Sequence, residues 1–257
     1  MTKMVFFDID GTLLDHGTRK IPASTIYAIE ELKKREIPVA IATGRAPFLF
    51  KEIREQTGIS NFISFNGSYA VYEEEVIHAT PLEKQELIKL TEKAEQLGFP
   101  LVYLDHEGMR SNVLDHPRIT KSFDDMSFEY PKLDKEYAFN RDIYQALIFA
   151  NKEEEHHYVD KYDNFDFVRW HVMSTDILPK GGSKANGIKA MTEKMGIPLS
   201  DVVAFGDALN DLEMLTTVGH GVAMGNGLDE VKKNARYITK PIDEDGILHG
   251  LQMLGML

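Results

Sequence analysis

Cysteine is absent from all 257 residues of this chain. Without thiols there can be no disulfide, no zinc site built from thiolates and no cysteine nucleophile. A chain without cysteine suits a reducing compartment, and we therefore expect a cytoplasmic protein.

Long apolar runs and an excess of basic residues are also missing. No stretch approaches the roughly 20 apolar residues that a membrane-spanning helix needs, and Asp8 ends the first apolar run, Met4–Phe7, too early for a signal peptide. The formal net charge is −12, which would repel a nucleic-acid backbone. We therefore expect no membrane and no nucleic acid as partner. An anionic small molecule would have to be bound by local cations or a metal ion, and the sequence leaves the oligomeric state open.

Strand and helix patterns alternate in the first and last thirds of the chain. Short apolar runs predict buried strands at residues 4–7, 38–42, 61–65, 202–205, 221–224 and 237–239. Helical spacing and end signals predict helices from about Pro22 to Leu32, Pro47 to Thr57, Ser183 to Met195 and Leu228 to Asn234. Such alternation is typical of the α/β class, with a parallel sheet and helices on both faces.

The middle of the chain has a different pattern. Helical stretches at Glu83–Leu97 and Glu153–Tyr162 are mixed with strand-like stretches at Leu101–Leu104, Ile143–Phe149 and Phe167–Met173. This segment has the length of an ordinary domain. We therefore predict two domains, a discontinuous core formed by residues 1–81 and 183–257, and an inserted α+β domain formed by residues 82–182.

Two acidic residues follow the first predicted strand directly. Asp8 and Asp10 flank Ile9, and Gly11 comes next. The carboxyl ends of strands in open α/β sheets are where ligands bind. In such a position Asp8 can act as a nucleophile, and Asp10 can donate and remove a proton. A calcium loop can also begin with Asp-x-Asp-Gly, but here leucines occupy the next ligand positions and the closing glutamate is missing.

Three further polar clusters lie at predicted strand or helix ends, namely Thr43–Arg45, Lys184 and Gly206–Asp211. In their order, and with the long insertion between the second and the third motif, these clusters and Asp8–Asp10 resemble the four motifs of the haloacid dehalogenase (HAD) superfamily. The whole chain is similar to the Cof-type phosphatases of subfamily IIB. This resemblance implies a Rossmann-like core with a parallel sheet, an inserted C2-type α/β cap and the activity of a phosphoric monoester hydrolase.

The resemblance also implies the roles of single residues. Asp8 would be the nucleophile that forms an aspartyl-phosphate, and Asp10 would be the general acid and base. The implied cofactor is Mg²⁺, and its implied ligands are Asp8, Asp10 (through the backbone carbonyl), Asp207 and Asp211. The implied phosphate-binding residues are Ile9, Thr43, Gly44, Lys184 and Asn210.

Each of these residues also has an ordinary structural explanation. Thr43 could cap a helix, and Asp207 could be a turn residue. Asp211 could be an acidic residue that stabilises the N-terminus of a helix through the helix dipole. Lys180 competes with Lys184 as the cation of the site. The density of acidic and amide groups at predicted strand ends nevertheless favours a functional site.

We therefore expect a Mg²⁺-dependent phosphatase acting on small phosphorylated metabolites, with sugar phosphates favoured by analogy with the family. A phosphomutase is an alternative, since it shares the aspartyl-phosphate step. A non-catalytic receiver that is phosphorylated in an acidic pocket is another, although it would need about half this length. The histidines and aromatic residues of the insertion lack the spacing of metal ligands, so the sequence does not identify the substrate.

Overall fold

A computed structural model describes residues 4–126 and 129–257 of the chain. The chain divides into two compact units. The first contains the residues up to Arg45 together with Leu49–Ala79 and Ser183–Leu257, and the second contains Ala46–Phe48 and Thr80–Gly182. No helix in the described part of the chain is long and apolar enough to cross a membrane.

The β-strands are numbered in chain order. They are β1 Met4–Phe7, β2 Val39–Ala42, β3 Phe62–Ser64, β4 Tyr69–Tyr72, β5 Glu75–Ala79, β6 Leu101–Leu104, β7 Met109–Ser111, β8 Lys132–Leu133, β9 Gln145–Ile148, β10 Phe165–His171, β11 Ser174–Pro179, β12 Val202–Gly206, β13 His220–Ala223 and β14 Tyr237–Ile238.

The α-helices are numbered in the same way. They are α1 Ala23–Lys34, α2 Lys51–Thr57, α3 Lys84–Leu97, α4 Pro117–Met126, α5 Tyr137–Asn140, α6 Lys184–Met195, α7 Leu212–Thr217, α8 Asp229–Asn234 and α9 Gly246–Met253. Short 3₁₀ turns add to them at Pro47–Phe50, Phe65–Gly67, Lys152–His157, Leu199–Asp201, Leu209–Asp211 and Ile242–Glu244.

The first unit is built on one sheet with the strand order β14-β13-β12-β1-β2-β3-β4-β5. The strands from β14 to β3 run parallel to their neighbours, and β4 and β5 add an antiparallel hairpin. The predicted α/β fold with a parallel sheet is thereby confirmed. Strand β1 lies in the middle of the parallel part, beside β12, and the two strands pair from Met4 with Val202 to Phe7 with Phe205.

Local sequence explains these elements. All four residues of β1 and all five of β12 are buried, as expected for the central strands of a parallel sheet. Helix α6 starts where the Ser183 hydroxyl accepts a hydrogen bond from the Asn186 amide, and it ends at Gly196, whose φ of 66° suits glycine. The apolar side of α6, with Ile188 and Met191, packs into the same core cluster as Met4 and other buried residues of the sheet.

The second unit has its own six-stranded sheet in the order β10-β11-β9-β6-β7-β8. Its neighbouring strands are antiparallel, except for the parallel pair β7 and β8. A separate apolar core includes Leu87 and Leu90 of α3, Tyr103 of β6 and Ile177 of β11. A mixed α+β composition, as predicted from the sequence, describes this unit.

One predicted element of the second unit is wrong. The helix expected over Glu153–Tyr162 is a 3₁₀ turn over Lys152–His157. Asn151 and Glu154 cap its start, but Tyr158 leaves the helical region with φ −136°, and Asp160 takes a left-handed φ of 58°, so the chain cannot continue as a helix. The sequence analysis also did not predict α4 and β11.

Candidate active site

The predicted nucleophile and a predicted metal ligand lie side by side at one edge of the parallel sheet. Asp8 directly follows β1, and Asp207 directly follows β12. The amide of Asp8 donates a hydrogen bond of 3.0 Å to the carbonyl of Phe205, which continues the pairing of the two strands up to the site. Parallel strands that end together bring these two carboxylates to the same place.

Lys184 joins this edge from the start of α6. Its ammonium Nζ lies 2.6 Å from Asp8 Oδ1 and 2.6 Å from Asp211 Oδ1. Lys184 is only 1% exposed, Asp8 4% and Asp211 0%, so the three charges are held together away from bulk water. The competing cation Lys180 is instead paired with Asp166, at 2.9 Å, on the second unit.

Asp211 fixes the geometry of the turn after β12. Its second oxygen, Oδ2, accepts hydrogen bonds of 2.9 Å from the amides of both Asp207 and Ala208. Gly206 must be a glycine because a Cβ there would lie 2.6 Å from the Asp211 side chain. The Asp211 carboxylate therefore holds Lys184 with one oxygen and the backbone of the metal-ligand candidate Asp207 with the other.

The Asp207 carboxylate is held by the loop that follows Asp8. The Thr12 hydroxyl donates a hydrogen bond of 3.1 Å to Asp207 Oδ1. Gly11 has a φ of +80°, and a Cβ on it would overlap the Asp207 carboxylate, so both its conformation and its close approach require glycine. The sequence analysis did not assign Thr12 a role, although its place two residues after Asp10 offered a signal.

Burial and mutual repulsion shape the acidity of the cluster. Burial, followed by the charge of Asp211, raises the pKa of Asp8 from 3.8 to about 8 against the opposing effect of Lys184. The same two causes raise the pKa of Asp207 to about 6. Burial alone would lower the pKa of Lys184, but Asp8 and Asp211 outweigh it and keep this pKa above its ordinary value. The lysine is therefore charged at neutral pH.

The donor set fits a hard divalent cation. Asp8, Asp207 and Asp211 each present an oxygen such that the three atoms lie within 4.8 Å of one another. Three carboxylates face one ammonium, so the fully ionised cluster carries an excess of two negative charges in a buried site. A Mg²⁺ ion would balance this excess, and carboxylate oxygens are its preferred protein ligands.

The carboxylate of Asp10 has a different partner. Arg45 binds it with two hydrogen bonds, 2.9 Å from Nε to Oδ2 and 2.5 Å from Nη2 to Oδ1. The Asp10 side chain is 43% exposed, in contrast to the buried Asp8. This bidentate pair orients Asp10. The sequence predicted Arg45 only as the residue that follows Thr43 and Gly44 in the second motif, with no role toward Asp10.

The predicted phosphate-binding groups of the second motif lie at the end of β2. Thr43 is buried, and its hydroxyl accepts a hydrogen bond of 3.1 Å from the Arg45 amide. Its own amide donates to the carbonyl of Ile63 at 2.9 Å. Thr43 can therefore offer its hydroxyl to a ligand, but not this amide.

Asn66 connects this motif to the fourth one. It lies in the turn Phe65–Gly67 between β3 and β4, with φ +51°, and its Oδ1 accepts a hydrogen bond of 3.2 Å from Asn210 Nδ2. A Cβ on Gly44 would lie 3.0 Å from the same Asn66 amide group. Gly44 and Asn210 thus both lie next to the side-chain amide of Asn66. Ile9 is fully buried, and its carbonyl accepts hydrogen bonds from the turn that follows it.

Comparison with known proteins agrees with this architecture. The haloacid dehalogenase-like hydrolase family matches residues 5–251. A protein of Bacillus subtilis (strain 168) named "Putative phosphatase YkrA" is 44% identical over 256 residues, which cover 100% of this chain and 99% of that protein.

Solved structures give the same result. A crystal structure of a hypothetical protein from Geobacillus kaustophilus HTA426 is 53% identical, covers both chains fully and superposes with a TM-score of 0.97. The HAD subclass IIB sugar phosphatase BT4131 is 33% identical, again over both full chains, with a TM-score of 0.83. This chain belongs to the haloacid dehalogenase-like hydrolase family.

Proposed function

We propose that this protein is a Mg²⁺-dependent phosphatase that hydrolyses small phosphorylated metabolites through an aspartyl-phosphate intermediate. The observation that carries the proposal is the buried group of Asp8, Asp207 and Asp211 around the ammonium of Lys184 at the carboxyl edge of the sheet. A phosphate monoester is anionic and repels a carboxylate nucleophile, so cations must surround the phosphoryl group before attack.

The metal site would be formed by the carboxylates of Asp8 and Asp207 and the backbone carbonyl of Asp10, with Asp211 supporting it. Bound Mg²⁺ would neutralise charge on the transferring phosphoryl group and favour the ionised form of its ligands. Lys184, which binds Asp8 Oδ1, would add a second cation. Since Asp211 already binds Lys184 and two backbone amides, it is better suited to orienting these groups than to direct ligation.

The chemical steps follow from these positions. A carboxylate oxygen of Asp8 attacks phosphorus, and the bond between phosphorus and the leaving oxygen breaks. Asp10 gives its proton to the departing alkoxide, so that an alcohol leaves and an acyl phosphate remains on Asp8. Asp10, now ionised, removes a proton from water, whose oxygen attacks the phosphorus. The bond between phosphorus and the Asp8 oxygen breaks, inorganic phosphate leaves, and Asp8 is again a carboxylate while Asp10 is again protonated.

The phosphoryl oxygens would be bound by groups that follow β1, β2 and β12 and by the first residue of α6. We assign to them the Thr43 hydroxyl, the Asn210 side-chain amide, the Lys184 ammonium and the backbone amides of Ile9 and Gly44. The hydrogen bond between Asn210 and Asn66, and the packing of Asn66 on Gly44, support this assignment because they join the second and fourth motifs.

We propose different roles for the two units. We assign residues 1–81 and 183–257 to a catalytic core, and residues 82–182 to a cap that selects the organic part of the substrate. The proposed core groups recognise only the phosphoryl group, so discrimination among organic phosphates needs other residues. Sugar phosphates are the substrate class we favour, because a relative that matches over its full length is named as a sugar phosphatase.

Phosphate release from a panel of organic phosphates tests the proposal. The panel contains sugar phosphates, nucleotides, phosphorylated cofactors and an aryl phosphate, each with and without Mg²⁺. We expect many turnovers that require Mg²⁺, with the highest kcat/KM on a sugar phosphate. A phosphomutase would instead isomerise a sugar phosphate without net release. A receiver would take up about one phosphoryl group per chain and stop, and either result would contradict the proposal.

A further inference from the structure

The side chain of Asn226 joins two loops at the carboxyl edge of the first sheet. Asn226 lies in the turn after β13. Its Nδ2 donates a hydrogen bond of 2.8 Å to the carbonyl of Gly11, in the loop that carries Asp8 and Asp10. Its Oδ1 accepts one of 2.9 Å from the amide of Ile242, just before α9. The nucleophile loop is therefore anchored to a distant part of the same unit.

The same turn is also attached to the strand that delivers Asp207. The amide of Leu228 donates a hydrogen bond of 2.9 Å to the carbonyl of Asp207. Gly227 lies so close that a Cβ on it would be 3.0 Å from the Cα and the carbonyl oxygen of Asp207. The turn that contains Asn226 thus contacts both the loop after Asp8 and the backbone of Asp207. It also holds Gly11 in the position where the Gly11 backbone packs against the Asp207 carboxylate.

We infer that Asn226 is a positioning residue that sets the spacing between the Asp8–Asp10 loop and Asp207, and through it the affinity for Mg²⁺. The inference rests on the proposed function, since it takes Asp8, Asp207 and the Asp10 carbonyl as metal ligands. Asn226 is not within the acidic cluster itself. It acts through Gly11, which stands next to Asp10 in the chain and against Asp207 in space.

The chemistry of the side chain explains why asparagine is suitable. An amide offers a donor for the Gly11 carbonyl and an acceptor for the Ile242 amide at the same time. Alanine offers neither. An ionised aspartate keeps the acceptor but has no donor, and its charge faces the carbonyl oxygen of Gly11.

Asn61 provides a matched control within the same unit. Its Nδ2 donates a hydrogen bond of 3.3 Å to the carbonyl of Val39, and its Oδ1 accepts one of 2.9 Å from the amide of Glu73. Asn61 therefore also links two backbone segments with one amide group. Val39 is the first residue of β2, so this link is at the amino ends of the strands, away from the carboxylate cluster.

To test this inference, the dissociation constant of Mg²⁺ is measured by isothermal titration calorimetry at pH 8. The proteins compared are the wild-type chain and the variants Asn226→Ala, Asn226→Asp and Asn61→Ala. Groups that orient metal ligands typically change metal affinity ~10–100-fold when removed. Because Asn226 contacts a residue next to the proposed ligands rather than a ligand itself, we expect the dissociation constant of Mg²⁺ to increase about tenfold in Asn226→Ala. Asn226→Asp should also weaken binding, although its added negative charge would by itself attract the cation. Asn61→Ala should stay within about twofold of the wild type.

Thermal unfolding in excess chelator separates positioning from a general loss of stability. Both alanine variants should lose similar stability, while only Asn226→Ala loses Mg²⁺ affinity. If Asn226→Ala does not fold, Asn226→Asp, which has nearly the same shape, carries the test. Wild-type affinity in the Asn226 variants, or an equal loss in Asn61→Ala, would overturn the inference and leave the proposed phosphatase intact. A wild-type chain that binds no Mg²⁺ would overturn the proposed metal site as well.

Discussion

Each of the two units has a carboxyl group with a raised pKa in a β-strand or directly after one, but the surroundings of these groups differ. In the first unit Asp8 lies beside Asp211, Asp207 and the ammonium of Lys184. In the second unit Asp176 on β11 faces the side chains of Gln145 and Trp170, and burial raises its pKa from 3.8 to about 7.

The two carboxyl groups differ in the number of charged side chains beside them and in whether these charges balance. Around Asp8 the described residues bring three carboxylates and one ammonium together, and this leaves an excess that a divalent cation can neutralise. Asp176 has neutral neighbours, and its Oδ1 has no hydrogen-bond partner of normal geometry among the described residues. A raised pKa is therefore not enough to identify a catalytic carboxylate. The accompanying charges distinguish the two cases.

The largest expected effect is that of Asp8→Asn on turnover. The amide keeps the shape of the side chain but cannot form the acyl phosphate, and loss of a nucleophile typically costs ~10⁴–10⁶-fold in kcat. The rate of phosphate release at saturating Mg²⁺ measures this loss. A rate within tenfold of the wild type would show that Asp8 is not the nucleophile.

Asp10→Asn should have a smaller effect, and one that depends on the leaving group. Proton transfer typically contributes ~10²–10⁴-fold, and it matters less when the leaving group is already acidic. Single-turnover phosphorylation should therefore slow more for a sugar phosphate than for an aryl phosphate. Equal losses for both substrates would contradict the role of Asp10 as general acid, and would suggest that its pair with Arg45 has only a structural purpose.

The affinity for Mg²⁺ should fall as the pH is lowered from 8 to 6. A carboxyl group must lose its proton before it can bind the metal, and in the metal-free protein the pKa of Asp8 is about 8 and that of Asp207 about 6. Protons therefore compete with Mg²⁺ over this range, and over these two pH units we expect a loss of roughly fiftyfold from the protonation of Asp8 and only about twofold from that of Asp207. Calorimetry in buffers of different ionisation enthalpy should also show proton release on binding. A pH-independent affinity would contradict these ionisation states.

The core and its candidate site could be predicted from the sequence because each signal is local. The buried run Met4–Phe7 followed by Asp8, and the run Val202–Phe205 followed by Gly206 and Asp207, indicate parallel strands that end in functional groups. Their side-by-side placement follows from the usual arrangement of such sheets. The N-cap of Ser183 likewise located the start of the helix that carries Lys184.

Other features depend on contacts between distant residues and could not be predicted in this way. The pair of Arg45 with Asp10 and the link from Asn226 to Gly11 join residues 35 and 215 positions apart. In the second unit the helix predicted through Tyr162 failed because left-handed Asp160 interrupts it. Short antiparallel strands there are defined by their partners rather than by a strong pattern of their own.

The smallest expected effect concerns Asp176, which has no cation beside it among the residues that the structure describes. Its folded pKa of about 7 lies above the ordinary 3.8, so the folded chain binds this proton more tightly than the unfolded chain does. The stabilising effect of the protonated group is complete below about pH 4, and it is lost as the pH rises through about 7. Asp176→Asn removes this dependence and should raise Tm at pH 8 by a few degrees, since ~1 kcal/mol corresponds to ~2–4 °C in a chain of this size. At pH 4 the wild type and Asp176→Asn should have the same Tm, and turnover of an aryl phosphate should stay within about twofold of the wild type.

Asp163→Asn, which removes an exposed carboxylate from the same unit, is the control and should change neither Tm nor turnover. A lower Tm for Asp176→Asn at pH 8, or a large loss of turnover, would mean that the carboxylate of Asp176 is compensated like that of Asp8, and the contrast between the two units would fail.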